Sequence, residues 1–262
     1  MRYFTEDTYE TRPDTRRFLL DRLSLGNRAY FMLRFFDVVL RARSKALAGT
    51  YTTEDWASSS YDVFQVVEGC GGRFSIAGLS NLSSFEGPAV FVGNHMSTLE
   101  TQVLPCMIAP VKDATFVVKE SLVRHPFFGP IISARNPIVV GRKNPKEDLQ
   151  NVLRQGQELL ARGTSVILFP QSGRFTEFNP SEFNSLGVKL ARNAGVPVVP
   201  FALKTDFWAN GRHLKDLGPI DRSKRIYFEF GQALEIHGTG KEENDLIIQF
   251  IQSRLATWGA PL

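Results

Sequence analysis

A histidine and a glutamate five residues apart, His95 and Glu100 in the stretch GNHMSTLETQ, are the pair in this sequence best suited to moving a proton. If His95 stands ahead of a helix, the Glu100 carboxylate can fold back onto the imidazole. It would then fix the tautomer and stabilise the imidazolium that forms when a proton is taken. Inside one continuous helix the same spacing places the two side chains about 140° apart, and they diverge. Such a dyad deprotonates a hydroxyl of the substrate, so the substrate is the nucleophile and no serine of the chain is needed. The positive end of a helix beginning just after His95 favours the neutral imidazole that a general base requires. The same letters admit a plainer reading. Ser97-Thr98-Leu99-Glu100 also fits the S-x-x-E capping box, in which the carboxylate only returns to a backbone N–H. His95 would then be a strand-end residue with a backbone partner.

A second group of residues could hold an anion. PQSGR, residues 170–174, offers Gln171, Ser172, Gly173 and Arg174, a small-residue turn followed by a guanidinium. Backbone N–H groups and an arginine fork of this kind can hold a phosphate, although a solvated loop has the same composition. Lys119 and Arg142 are individually ordinary surface cations.

What raises these positions together is the set of elements that must carry them. AVFVG, TFVVK, PIVVG, SVILF and VPVVPFAL read as short buried strands, with GRFSIAGL an alternating strand and RIYFEFG one more. Between them PKEDLQNVLRQGQELLARG reads as a helix with Pro145 early and Gly163 past its end. EFNSLGVKLARNAG reads as a helix closed by Gly195, and EENDLIIQFIQSRLATW as a final amphipathic helix. STLETQVLPCMI reads as a helix interrupted at Pro105. Buried strands alternating with helices predict an α/β fold whose mainly parallel central sheet is covered by helices on both faces. In such sheets, sites gather beyond the carboxyl ends of the strands. His95, residues 170–174, Arg142 and Lys119 all fall at such ends, which scattered surface positions would rarely do together.

With 43% hydrophobic residues in 262, the chain can bury a sizeable core. Lys and Arg outnumber Asp and Glu by 31 to 27, an excess that suits an anionic partner without choosing one. The two cysteines, Cys70 and Cys106, form no CxxC or Cys/His cluster, which points to a reducing compartment and away from a metal centre. The opening MRYFTEDTYETRPDTRR has no apolar signal core. Gly26 and Gly49 punctuate two basic helical stretches, and TYTTEDWASSS reads as a linker or irregular loop. No segment reaches the apolar length of a spanning helix. AYFMLRFFDVVL comes nearest, and Arg34, Asp37 and Arg41 draw a narrow polar stripe along it. Lying among Arg16, Arg17, Arg22, Arg28, Arg43 and Lys45, this helix either docks in a membrane interface or packs on the domain with its arginines reaching to water. The expected division is residues 1–60 as a helical, membrane-associating segment and 61–262 as the catalytic domain.

The blocks around these residues resemble, in the right order, those of the glycerolipid acyltransferase family, founded on 1-acyl-glycerol-3-phosphate acyltransferase. FSIAGLSNLSSFEGPAVFVGNH resembles the approach to the family's Asn-His-x4-Asp block, with Asn94 and His95 matching. ESLVRHPFFGPIISARNPIVVGR resembles the second block, whose lysine and arginine are Lys119 and Arg142 here. ILFPQSGRF resembles the Phe-Pro-Glu-Gly-Thr-Arg block, and VPVVPFAL the closing strand. Glu100 stands for the commoner aspartate, as in lipid A late acyltransferases, and Gln171-Ser172-Gly173 replaces Glu-Gly-Thr. The resemblance implies transfer of an acyl group from acyl-CoA or acyl carrier protein to the hydroxyl of a lysophospholipid, with no cofactor. His95 is then the base and Glu100 its partner. Lys119, Arg142, Ser172, Gly173 and Arg174 would bind the acceptor's phosphate, supported by Asn94 and Gln171. It also implies an anionic membrane surface as partner, on the cytoplasmic side, and no nucleic acid. The alternatives are an enzyme of the same fold with another lipid acceptor, or a non-catalytic basic protein binding lipid or nucleic acid.

Overall fold

A computed structural model of the chain describes residues 3–24, 27–171, 173–211 and 215–261. In chain order its elements begin β1 (Tyr9–Glu10), α1 (Leu19–Leu23), α2 (Ala29–Leu47), α3 (Thr53–Gly69), β2 (Phe74–Ala77), β3 (Val90–Gly93) and α4 (Leu99–Ile108). They continue β4 (Ala114–Lys119), α5 (Glu120–Val123), α6 (Gly129–Ser133), β5 (Ile138–Val140), α7 (Pro145–Ala161) and β6 (Ser165–Leu168). α8 (Leu186–Ala194), β7 (Val198–Lys204), β8 (Ile226–Phe230) and α9 (Lys241–Thr257) complete them.

Every residue of β3 and of β6 is buried. Strands without a polar face must be covered on both sides, and they are. Phe91, Ile167 and Val199 face a core built with α2, α3 and α4. Val90, Val92, Val166 and Leu168 face the opposite core, with α7, α8 and α9. The strands form one sheet in the order β1-β2-β8-β7-β3-β6-β4-β5. From β7 to β5 all pairings are parallel. β8 runs antiparallel to β7, with β2 parallel to β8 and β1 antiparallel to β2. Val92 lies opposite both Leu168 and Pro200, so β3 and β6 end within a residue of each other, while β7 runs on to Lys204. The expected α/β class is observed, and the ends of β3, β6, β4 and β5 lie side by side along one sheet edge.

Several local expectations are corrected. TYTTEDWASSS is not a loop: it enters α3 through a capping box in which Thr52 and Asp55 exchange side-chain and backbone hydrogen bonds. Trp56, Ser60, Val63, Phe64 and Val67 turn inward at helical spacing, so packing overrides the weak helix preference of the three serines. The division at residue 60 therefore falls within a continuous helix. Pro105 does not interrupt α4. The Ser60 hydroxyl accepts the Cys106 N–H at 2.9 Å and donates to the Gln102 carbonyl at 2.7 Å, bridging the step in the helical ladder beside the proline. α8 begins only at Leu186, because Asn179 and Asn184 turn the preceding chain with their side chains, while Gly195 closes the helix in the left-handed region. Gly26 lies outside the described residues.

One face of α2 belongs to the domain core. Phe31, Phe35, Val38, Val39 and Ala42 are buried, and Phe35 packs edge-on against Trp208 with ring centroids 5.0 Å apart. The opposite face leaves Leu33, Leu40 and Leu47 exposed at seven-residue spacing, as Leu19, Leu20 and Leu23 are on α1. Asp21 is wholly buried, paired with Arg17 and with Arg222 at 2.7 Å, which ties α1 to the loop before β8. No helix among the described residues is long and apolar enough to cross a membrane.

Candidate active site

Gly93 ends β3, and its missing side chain lets the Phe201 ring and carbonyl of β7 come within 2.5 Å of where a Cβ would sit. Asn94 follows. Its amide donates to the Leu203 carbonyl at 2.8 Å and accepts the Leu203 N–H at 2.9 Å, pinning the chain to β7 just where it leaves the sheet. His95 then stands four residues ahead of α4, which begins at Leu99, so the two acid–base candidates are not in one helix. The imidazole Nδ1 lies 2.8 Å from Glu100 Oε1. The ring stacks on Phe169, the residue after β6, at 4.3 Å between centroids and 16° between planes. Its backbone is held on both sides, by Gln171 Oε1 accepting the His95 N–H at 2.9 Å and by the His95 carbonyl accepting the Phe175 N–H at 2.9 Å.

Glu100 is 0% exposed. Oε1 also accepts the N–H groups of Met96 (2.6 Å) and Ser97 (2.7 Å), while Oε2 receives the hydroxyls of Ser97 (2.9 Å) and Thr205 (2.6 Å). Only half of the capping-box reading is met: the carboxylate returns to the Ser97 N–H, but the Ser97 hydroxyl accepts the Leu99 N–H in place of that of Glu100, and the same carboxylate meets the imidazole. Burial is the largest influence on its acidity and pushes it up. The His95 hydrogen bond and charge, the Thr205 hydroxyl and the Ser97 N–H outweigh burial and hold the carboxyl below the usual range. An ionised Glu100 makes Nδ1 the protonated nitrogen of a neutral His95. Nε2 then carries the lone pair that can take a proton.

Arg174 comes to the same mouth. Its Nη1 donates to the Thr98 hydroxyl and, at 2.7 Å, to Asp216 Oδ1. Gly173 is half-buried beside it, and Ser172 lies outside the described residues. Lys119 closes β4, and Arg142 follows β5 in the left-handed region, at φ 59°. The Asp148 carboxylate stabilises that bend by accepting the Gly141 N–H at 2.9 Å and the Arg142 N–H at 2.7 Å. Lys119 is two strands from β3 and Arg142 three, about 10 and 14 Å along the sheet edge at the usual strand spacing. Hydrogen bonds join His95 to Glu100 and Gln171, Asn94 pins the chain just before it to β7, and Arg174 reaches Thr98 in the same segment, with Lys119 and Arg142 on strand ends farther along.

Reading the sequence did not single out Thr205, Phe169, Thr98 or Asp216. Phe169 had a visible signal, an aromatic residue at the end of a buried strand. Thr205 and Asp216 had none, since their roles arise from contacts 105 residues away for Thr205, and 42 and 118 residues away for Asp216.

Comparison with known proteins identifies the family. The sequence profile of the Acyltransferase family matches residues 73–204, from β2 to the end of β7. The chain is 31% identical over 191 residues to the 1-acyl-sn-glycerol-3-phosphate acyltransferase of Pseudomonas aeruginosa, covering 72% of this chain and 69% of that one. It is also 31% identical over 148 residues to the chloroplastic 1-acyl-sn-glycerol-3-phosphate acyltransferase of Arabidopsis thaliana, covering 56% of this chain but only 38% of that longer protein. The crystal structure of the 1-acyl-sn-glycerophosphate acyltransferase of Thermotoga maritima superposes with a TM-score of 0.63 over 93% of this chain and 97% of that one. At 19% identity this last likeness speaks to the fold alone. Strand order, the surroundings of His95 and these matches converge: the chain belongs to the glycerolipid acyltransferase family and is an acyltransferase.

Proposed function

We propose that the protein acylates a lysophospholipid, with 1-acyl-glycerol-3-phosphate as acceptor and phosphatidic acid as product. The acyl donor in this reading is acyl-CoA or acyl carrier protein. The observation that carries it is the contact of His95 Nδ1 with a buried Glu100 at 2.8 Å, which leaves Nε2 as the basic nitrogen. Nε2 takes the proton of the acceptor hydroxyl as its oxygen attacks the thioester carbonyl. When the C–S bond breaks, the imidazolium returns that proton to the departing thiolate. Glu100 stabilises the imidazolium between the two steps. Arg174, with Ser172 and Gly173, receives the acceptor's phosphate, and Lys119 and Arg142 extend the cationic rim toward it.

Gln171 does not argue against a phosphate-bearing acceptor. Its side-chain oxygen is spent on the His95 N–H, a bond that a glutamate oxygen would make equally well. The names of the relatives from Pseudomonas aeruginosa and Arabidopsis thaliana support the same acceptor.

The membrane reading moves from the buried face of α2 to its outer one. Leu33, Leu40 and Leu47, with Leu19, Leu20 and Leu23 of α1, lie exposed, and so do the cations Arg16, Arg22 and Arg28 of the same N-terminal stretch. That composition fits a peripheral enzyme resting on an anionic, cytoplasmic leaflet. The test of the reaction is release of free CoA from acyl-CoA against a panel of lysolipids. Release with 1-acyl-glycerol-3-phosphate, lowered by about 10² to 10⁴ in a folded His95→Ala variant, is expected. Near-normal turnover in that variant would sink the base assignment, and release with some other lysolipid alone would move the acceptor.

A further inference from the structure

The Arg174 guanidinium is held at one corner only. Both contacts run from Nη1, one to the Thr98 hydroxyl and one to Asp216 Oδ1, and Thr98 in turn donates to Asp216 Oδ1 at 2.8 Å. The three groups close a triangle that uses both Nη1 hydrogens. Nε and Nη2 form the edge with which arginine grips an oxyanion by two parallel hydrogen bonds, and they have no hydrogen-bond partner among the described residues. A carboxylate that merely filled an anion site would take that edge. This one leaves it clear. Thr98 immediately precedes α4, and the same long β7–β8 connection that carries Asp216 sends the Asn210 amide to the Met96 carbonyl at 3.0 Å. The triangle therefore joins Arg174 to the loop that carries His95.

We propose that Asp216 is a positioning residue for the acceptor's phosphate: with Thr98 it fixes Nη1 so that the Nε/Nη2 edge of Arg174 is presented to a phosphate monoester. This rests on the reading of Arg174 as a phosphate ligand and deepens it. Without the triangle the guanidinium must be ordered anew each time an acceptor binds, so binding weakens while the chemistry at His95 stays intact. Asn at position 216 keeps Oδ1 as an acceptor and preserves most of the geometry, whereas Ala does not.

The test is steady-state kinetics with 1-acyl-glycerol-3-phosphate and acyl-CoA on Asp216→Ala, Asp216→Asn, Thr98→Val, Arg174→Ala and the Asp216→Ala/Arg174→Ala double variant. Asp216→Ala and Thr98→Val are expected to raise the acceptor KM about tenfold, as loss of a charge-assisted bond should, with kcat and the acyl-CoA KM nearly unchanged. Asp216→Asn should restore most of the acceptor affinity. Asp216→Ala should add nothing once Arg174 is gone, because a residue acting through another is not additive with it. An acceptor KM that falls in Asp216→Ala would make the carboxylate a competitor of the phosphate and overturn the inference. Equal losses toward acceptor and donor would make it merely structural. If Asp216→Ala does not fold, Thr98→Val and Asp216→Asn decide. If Arg174→Ala itself leaves the acceptor KM unchanged, the phosphate reading falls and the inference with it. If Arg174→Ala raises that KM while the Asp216 and Thr98 variants do not, the inference alone falls.

Discussion

Thr205, one residue past the end of β7, donates its hydroxyl to Glu100 Oε2 at 2.6 Å, on the oxygen away from His95. The carboxylate that partners His95 is thus itself held from a neighbouring strand, and its negative charge is shared among an imidazole, two backbone N–H groups and two hydroxyls. A buried carboxylate without those donors would take up a proton and could no longer orient or stabilise the imidazole.

The acid side of stability should report this. Glu100 is held below the usual carboxylate range in the folded protein. Its contribution is therefore present above the ordinary glutamate range and is lost as the pH falls through the lowered value. Urea midpoints measured across acidic pH should decline more steeply for the parent than for Glu100→Gln. In Thr205→Val, which removes one donor, the loss should begin at higher pH. Parallel declines in all three proteins would show that Glu100 is not the linked group.

Glu100→Gln should keep the fold and lose less turnover than His95→Ala. The amide oxygen can still accept the Met96 and Ser97 N–H groups, but it offers no charge to the imidazolium. The expected loss in kcat is about ten- to a hundredfold, below that of removing the base itself. Ser97→Ala removes one hydroxyl donor from Glu100 Oε2 and should lower stability by about 1–3 kcal/mol, with a smaller loss of turnover than Glu100→Gln. A Glu100→Gln enzyme as fast as the parent would reduce the carboxylate to a cap.

The seam between α3 and α4 carries its own prediction. Ser60→Ala strands the Cys106 N–H and the Gln102 carbonyl beside Pro105, both bonded to the Ser60 hydroxyl in the native seam. A stability loss of about 1–3 kcal/mol is expected from chemical denaturation, with kcat unchanged. An unaltered midpoint would mean that α4 closes the gap by itself.

The two faces of α2 should behave differently. Phe35 is 1% exposed, and Phe35→Ser should cost at least the roughly 3–5 kcal/mol of a large-to-small core change. Replacing Leu33, Leu40 and Leu47 together with serine should leave the thermal transition nearly in place and release the protein from anionic vesicles in a flotation assay. Binding of the parent should weaken with salt without vanishing, since only the cationic part is screened. Vesicle binding that survives the triple change would place the lipid contact elsewhere.

Much of the fold lies in local pattern. The apolar runs ending at Gly93, Lys119, Val140 and Leu168 are strands, wholly buried at β3 and β6 and half-exposed along much of β4 and β5 toward the sheet margin. Their order with the intervening helices leads to a parallel sheet and puts His95, Lys119, Arg142 and Arg174 on one edge. The sequence also settles that His95 and Glu100 are a pair worth testing, by their spacing around a helix start. What it cannot settle depends on residues distant along the chain. Whether Glu100 caps or orients is decided by the turn at 95–98 and by Thr205, which together let one carboxylate do both. Which face of α2 is core is decided by Trp208, Phe128 and Phe207, since apolar residues flank its narrow polar stripe on both sides. The serine run in α3 looks like a loop until α4 supplies the backbone groups that Ser60 bonds. The Asp216–Thr98–Arg174 triangle exists only where the long β7–β8 connection folds back over the sheet edge, a closure that no local periodicity encodes.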